Sequence, residues 1–229
     1  MKYFCTGGLN MENLQDQVYH RLFRAILELE YIPGQRINDK ALTEELNVSR
    51  TPIREAIVRL KKDGLLVVVP QSGTYVSKID LHAALDGRFV RENIEKIVVR
   101  ESINNITAEN LKEQHRILTD QSDAVRGANP KDFFYLDNQF HQNFYKYDDK
   151  SEVWRWLQNI TIQLDRFRWL RLNNSDLRWD LLIKQHTEIL DAISRKRHSQ
   201  AEQLAGLHMN LMLDEEDSML KAFPEYFTE

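Results

Sequence analysis

Residues 49–64 read Ser-Arg-Thr-Pro-Ile-Arg-Glu-Ala-Ile-Val-Arg-Leu-Lys-Lys-Asp-Gly. Ser49 is a good N-cap, since its oxygen can accept from an amide that a helix start leaves unpaired, and Pro52 falls in the first turn, where its missing N–H costs little. Gly64 predicts the stop. Ile53, Ile57 and Leu60 recur at helical spacing as an inward stripe, which leaves Arg50, Thr51, Arg54, Arg59 and Lys61 on or near the wet side. The segment 49–62 holds five basic residues against one acid, Glu55. A capped helix with a basic, exposed first turn has the chemistry to enter a DNA groove.

The flanking residues supply a frame for that helix. Asn38 can cap a short helix from Asp39 to Leu46, with Ala41, Leu42 and Leu46 pointing inward, and Asn47-Val48 makes a tight connection into Ser49. Downstream, Leu65–Val69 is a β-branched run, Pro70-Gln71-Ser72-Gly73 is turn chemistry and Thr74–Val76 is a return strand, which together predict a hairpin wing. Upstream, Leu14, Val18, Leu22, Ile26 and Leu29 keep helical spacing up to Pro33-Gly34. Residues 12–78 therefore predict a winged helix-turn-helix. The order helix, "YIPGQRI", "LTEELNVSRTPIREAIVRLKKDGLL", "PQSGTYV" resembles the DNA-binding domain of the GntR family of bacterial transcription regulators over some sixty residues.

Composition agrees with two domains. The chain has 229 residues and ordinary hydrophobic content, and no apolar run approaches the roughly 20 residues needed to span a bilayer. No membrane association is expected. Residues 1–11 read as a loose tail or an appended remnant. The single cysteine, Cys5, lies there, so no internal disulfide is possible and a cytoplasmic setting is expected. The net charge of −4 divides unevenly: residues 11–78 carry 10 basic and 9 acidic residues, whereas residues 79–229 carry 20 and 26. DNA contact is thereby confined to the first domain.

Residues 79–229 predict an all-α bundle, with apolar positions every three or four residues and one proline, Pro130, between 80 and 220. Helices are expected at 81–104, 107–125, 130–147, 151–172, 176–195 and 198–220. Within this pattern, polar residues stand where apolar ones belong. Asp137 falls at the centre of the stripe Phe133, Leu136, Phe140, Phe144, with His141 on its edge. His186 is flanked by Leu182, Ile189 and Leu190, and His208 by Leu204, Leu211 and Met212. An unpaired buried carboxylate costs several kcal/mol, so Asp137 must be protonated, ion-paired or bound to a metal. A turn near residue 197 would bring His186 and His208 to one height, and Asp137 and His141 share a helical face. Three imidazoles and a carboxylate suit a divalent first-row ion, zinc foremost, with nickel or manganese as alternatives.

A single apolar-flanked histidine is more often a hydrogen-bonded core residue, and His115, between Leu111 and Leu118, passes the same flank test. His20, His82 and His198 read as surface. The pattern "DxxxH", then "HxxILxAI", then a histidine 22 residues on resembles the C-terminal FCD domain of the FadR subfamily across residues 80–220. That resemblance implies Asp137, His141, His186 and His208 as metal ligands. Arg91-Glu92-Asn93-Ile94-Glu95 matches the subfamily's "RxxxE" helix. Arg91 then either holds an effector carboxylate or pairs with Glu95 at i+4; Arg166 and Arg168 are further candidates. Trp154, Trp156, Phe167 and Trp169 read as core and dimer packing.

The expectation is a homodimeric transcriptional regulator, a repressor, that binds double-stranded operator DNA at a short palindrome. Arg50, Thr51 and Arg54 would touch bases or nearby phosphates together with the helix start at Ser49, Lys40 would touch a phosphate, and Gly73 would let the wing approach the minor groove. A small carboxylate or sugar acid would be its effector, anchored by the metal. Two other readings stay open: a metal-dependent hydrolase or oxygenase, and a DNA-binding dimer without a ligand.

Overall fold

The computed structural model describes residues 13–174 and 179–228, so the expected tail, with Cys5, and the expected start of the helix at 176 lie outside the described residues. The chain divides into two compact units, Met1–Ser77 and Lys78–Glu229.

The first unit contains α1 (Leu14–Leu27), β1 (Arg36–Ile37), α2 (Asp39–Leu46), α3 (Arg50–Lys62), β2 (Leu66–Val69) and β3 (Gly73–Val76). Asn13 caps α1 through the Asp16 amide, and Val18, Leu22, Ala25 and Ile26 are its buried face. The stripe is shorter than its pattern: Leu14 is half exposed, and Leu29 lies beyond the helix with a left-handed φ of 59°. Asn38 caps α2 by accepting from the Lys40 and Ala41 amides. Leu42 is buried, but Ala41 is exposed, contrary to its expected inward position. Asn47 turns the chain in the left-handed region, which asparagine tolerates. Ser49 occupies the N-cap position of α3 without a side-chain cap hydrogen bond, so its hydroxyl is not used by the helix as expected. Pro52, Ile53, Ala56, Ile57 and Leu60 form the buried face.

The wing is a three-stranded antiparallel sheet in the order β1-β3-β2. Its two-residue strand β1, which pairs Arg36 with Tyr75 and Ile37 with Thr74, is too short to leave a period in the sequence. Val67, Val68 and Val69 are all exposed, so this β-branched run serves strand geometry rather than the core.

The second unit comprises α4 (Leu81–Ser102), α5 (Ala108–Arg126), α6 (Pro130–Tyr147), α7 (Ser151–Ile160), α8 (Ile162–Leu172), α9 (Trp179–Ser194) and α10 (His198–Ala222). Among the described residues, side-chain caps start three of them: Asp80 for α4, the Thr107/Asn110 capping box for α5 and Asn129 for α6. Val98, Ile117, Phe140, Phe144, Tyr145, Trp154, Ile189 and Leu190 lie in one apolar core. Trp169 and Phe167 are buried, but Trp156 is 64% exposed. Among the described residues no helix is long and apolar enough to cross a membrane.

The expected single helix 151–172 is two, broken at Thr161. A Cβ on Gly87 of α4 would lie 3.1 Å from the Ile160 carbonyl oxygen and 3.4 Å from the Thr161 Cα. The glycine therefore admits the backbone of the break against α4, a tertiary contact with no local signature. The Ile160-Thr161-Ile162 run is β-branched and weakly helical, the only sequence hint of the break.

Candidate functional site

In the first unit, Arg36, Asn38, Lys40, Arg50, Arg54 and Gly73 line one shallow concavity. The starts of α2 and α3 bring Lys40, Arg50 and Arg54 to it, and β1 and β3 bring Arg36 and Gly73. Ser49 and Thr51, at the start of α3, are exposed. Gly73 has a φ of +141°, and a Cβ there would come within 2.9 Å of the Arg36 Nε. The glycine thus provides both the backbone conformation and the room for Arg36 on the wing face. Arg36 is the residue of this face that sequence reading passed over, because its strand was not visible. Arg59 is set apart by its ion pair with Asp16 at 2.6 Å and its position 3.9 Å over the Tyr19 ring.

In the second unit, α6 carries Asp137 and His141, α9 carries His186 and α10 carries His208. All four are buried, and one ligand-type atom from each falls within a set whose members lie within 4.8 Å of one another. The α9–α10 hairpin turns at residues 195–197, which sets the two Nε2 atoms of His186 and His208 3.2 Å apart. Phe140 stacks on His186 at 4.3 Å between centroids and fixes its ring.

The outer nitrogens explain the orientation. His186 Nδ1 lies 2.9 Å from Gln121 Oε1, His208 Nδ1 lies 2.9 Å from Gln185 Oε1, and His141 Nδ1 faces Glu95 Oε1. An Nδ1–H donated to the amide oxygen of Gln121 or Gln185 leaves the Nε2 lone pair of His186 or His208 facing inward, and the Glu95 carboxylate orients His141 in the same way. Converging lone pairs with each ring anchored from behind are the donor arrangement of a metal site. His141 Nε2 is buried without a hydrogen-bond partner, which fits the same reading. Glu95, Gln121 and Gln185 were not singled out from sequence as supports. The available signal was Gln121, one turn after Ile117 on the buried stripe of α5.

The electrostatics keep Asp137, His186 and His208 in their ligand forms. Burial would raise the Asp137 carboxyl, but Arg168, then His141 and His186, outweigh it and hold it below the usual carboxylate range. Glu95 is likewise held low against burial by His141 and Arg91. Burial pushes His186 down to about 3. His208 falls well below its ordinary value through burial and the neighbouring His186 and His141. Both imidazoles are neutral at pH 7.

A cavity of about 50 Å³ opens beside the cluster, lined by Arg88, Arg91, Asp137, His141, Arg168, Arg171 and His208 together with apolar side chains. Arg91 makes the i+4 pair considered for it, its Nε donating to Glu95 at 3.0 Å, and its Nη2 is buried without a hydrogen-bond partner. Arg168 lines the cavity, but Arg166 does not; the Arg166 Nη1 donates to the Lys78 carbonyl and to Gln163, each at 3.2 Å, and burial lowers its guanidinium to about 10. His115 and His82 are exposed, and His20 and His198 are half-buried.

The family described as "Bacterial regulatory proteins, gntR family" matches residues 14–76, and the FCD domain matches residues 88–211. The chain is 28% identical over 216 residues to the HTH-type transcriptional repressor RspR of Escherichia coli K12, covering 94% of each. It is also 28% identical over 215 residues to an uncharacterized HTH-type transcriptional regulator of Streptomyces ambofaciens, covering 92% of this chain and 88% of that one. Among solved structures, E. coli McbR/YncC shares the fold with a TM-score of 0.76 at 19% identity, over 93% of this chain and 100% of that one.

Proposed function

The chain belongs to the gntR family of bacterial regulatory proteins and carries an FCD domain; from that premise we propose that it is a homodimeric, metal-dependent repressor whose operator affinity answers to a small carboxylate. It is a transcriptional regulator with a DNA-binding domain and an effector-binding domain, and its relatives are regulators rather than enzymes. Repression is supported by the name of the E. coli relative.

The observation that carries the metal and effector reading is the buried Asp137, His141, His186, His208 cluster beside an arginine-lined cavity. These four residues would hold a divalent ion, with zinc ahead of nickel and manganese, which when bound would act as an electrophile for an anionic oxygen. The unpartnered Arg91 Nη2 supplies a donor toward the same oxygen. In the first unit, Arg50, Thr51 and Arg54 would reach base edges or phosphates of a short palindrome. Lys40, Arg36 and the uncommitted Ser49 hydroxyl would reach phosphates, and Gly73 would let the wing approach the minor groove.

Two measurements on the purified protein test this. Elemental analysis should find about one divalent ion per chain, and Asp137→Asn or His186→Ala should abolish it. Arg54→Ala should weaken operator binding by about 1 to 3 kcal/mol, while Lys61→Ala gives a smaller loss that is equal on operator and random DNA. Equal losses on both DNAs for Arg54→Ala, or a metal-free protein whose melting temperature ignores added zinc, would overturn the corresponding half.

A further inference from the structure

Each arginine of the cavity is matched to a carboxylate. Arg88 pairs with Glu92 at 2.6 Å, Arg91 with Glu95 at 3.0 Å and Arg171 with Glu215. Arg168 differs from these in what it holds. Its Nη1 donates to Asp165 at 2.6 Å and to Asn138 at 2.9 Å, and its Nη2 is bound to Asp137 Oδ2. Asp137 is the carboxylate of the histidine cluster, and this same Oδ2 is the oxygen 3.9 Å from His141 Nε2. The guanidinium therefore draws on one oxygen of the centre's anionic ligand, while Asp137 Oδ1 lies 3.4 Å from His186 Nε2, so Arg168 and a dication would compete for the charge of a single carboxylate.

Charge sharpens this. With every arginine paired, the lining is close to neutral, so a divalent ion adds two uncompensated positive charges in a largely buried space, where they are costly. We propose that Arg168 is an internal competitor for the metal position, which covers Asp137 in the metal-free protein and passes to the second acid group of a small dicarboxylate effector once Asp137 is committed. This rests on the metal-and-effector reading above and narrows its ligand from any small carboxylate to a dianion. Asp165 and Asn138 keep the Arg168 stem in place during the exchange, so only its Nη2 end changes partner. A monocarboxylate leaves one charge uncompensated and Nη2 without an acceptor.

The test uses chelator-treated full-length protein, zinc as the metal, and succinate and acetate as probes. In the wild type, saturating succinate should raise zinc affinity by roughly 5- to 150-fold, the usual range of site–site coupling, and acetate should do distinctly less. Arg168→Gln should bind zinc several-fold more tightly than wild type, because its competitor is gone. Arg171→Gln removes the same charge from the cavity without touching Asp137, and should change zinc affinity far less. Succinate affinity of the zinc-loaded Arg168→Gln protein should fall by an order of magnitude or more, on the scale of a lost charge-assisted pair. Weaker or unchanged zinc binding in Arg168→Gln would mean that Arg168 only orients Asp137, and would overturn the proposal. Equal coupling by acetate and succinate in the wild type overturns it without any variant. A wild type that binds zinc but fails these comparisons leaves the metal centre standing and removes this inference alone, whereas a wild type that binds neither zinc nor nickel removes both.

Discussion

At the scale of single residues, the second unit is governed by how Asp137, His186 and His208 are kept unprotonated in a buried interior. His186 titrates near 3 when folded and near 6.5 when unfolded, and His208 is displaced in the same direction. Below pH 6.5 the unfolded chain takes up protons that the folded chain refuses, so stability falls as pH falls. Each histidine contributes a slope of up to about 1.4 kcal/mol per pH unit. Asp137 and Glu95, also depressed, add to the loss only nearer pH 4, which leaves pH 6.5 to 4.5 as the histidine window. Denaturant melts of chelator-treated protein across that window should show the decline; a flat profile would mean that the imidazoles protonate in place. The four clustered residues were legible because polar side chains interrupted apolar stripes. Glu95 was half legible: its spacing to Arg91 was noted, but its contact with His141 joins α4 to α6, and no period within either helix encodes that.

At the scale of elements, legibility tracked whether a signal was local. The α3 stripe, the Asn38 cap and the α9–α10 hairpin height are intrahelix or adjacent-helix features, and the structure has them. The break at Thr161 and the strand at Arg36–Ile37 are set by partners elsewhere, Gly87 for one and β3 for the other. Gly87 gives the test. The two nearest atoms a Cβ would meet there are backbone and cannot rotate away, so Gly87→Ala should destabilise the second unit by about 1 to 3 kcal/mol, the cost of overpacking. Gly127 caps α5 at an ordinary φ of −80°, and its nearest neighbour to a Cβ is at 3.4 Å. Gly127→Ala should therefore be neutral or stabilising by up to about 1 kcal/mol. Thermal melts of the two variants should move apart, and a similar shift in both would show that the α7–α8 break does not depend on Gly87.

At the scale of the whole chain, the charge division between residues 11–78 and 79–229 was readable, but the way the second unit holds its own first residues was not. Ile79 donates to the Tyr226 carbonyl at 2.8 Å and accepts from the Thr228 amide at 3.0 Å, a parallel bridge to Phe227 between residues at opposite ends of the unit. The residues after Pro224 carry no period that announces it. On the other side, α8 holds this segment through Arg166 on the Lys78 carbonyl and Gln163 on the Asp80 amide. The same helix presents Arg168 to the cavity, and its Phe167 meets Phe227 at 6.1 Å between centroids. Residues 78–80 are thus clamped between α8 and the C-terminal bridge directly after the first unit ends at Ser77. Any displacement of α8 on filling the cavity must act on this segment rather than dissipate in a free tether. A chain ending at Phe223 should therefore keep wild-type zinc affinity within about 2-fold, since every cluster residue is retained, yet lose most of the difference in operator affinity between zinc-loaded and chelator-treated protein, where couplings of 1 to 3 kcal/mol are typical. The measurement is operator binding by both chains in both metal states. Full coupling in the shortened chain would rule out the bridge as the route and leave α8 and Arg166 to carry it alone, which Arg166→Gln would then test.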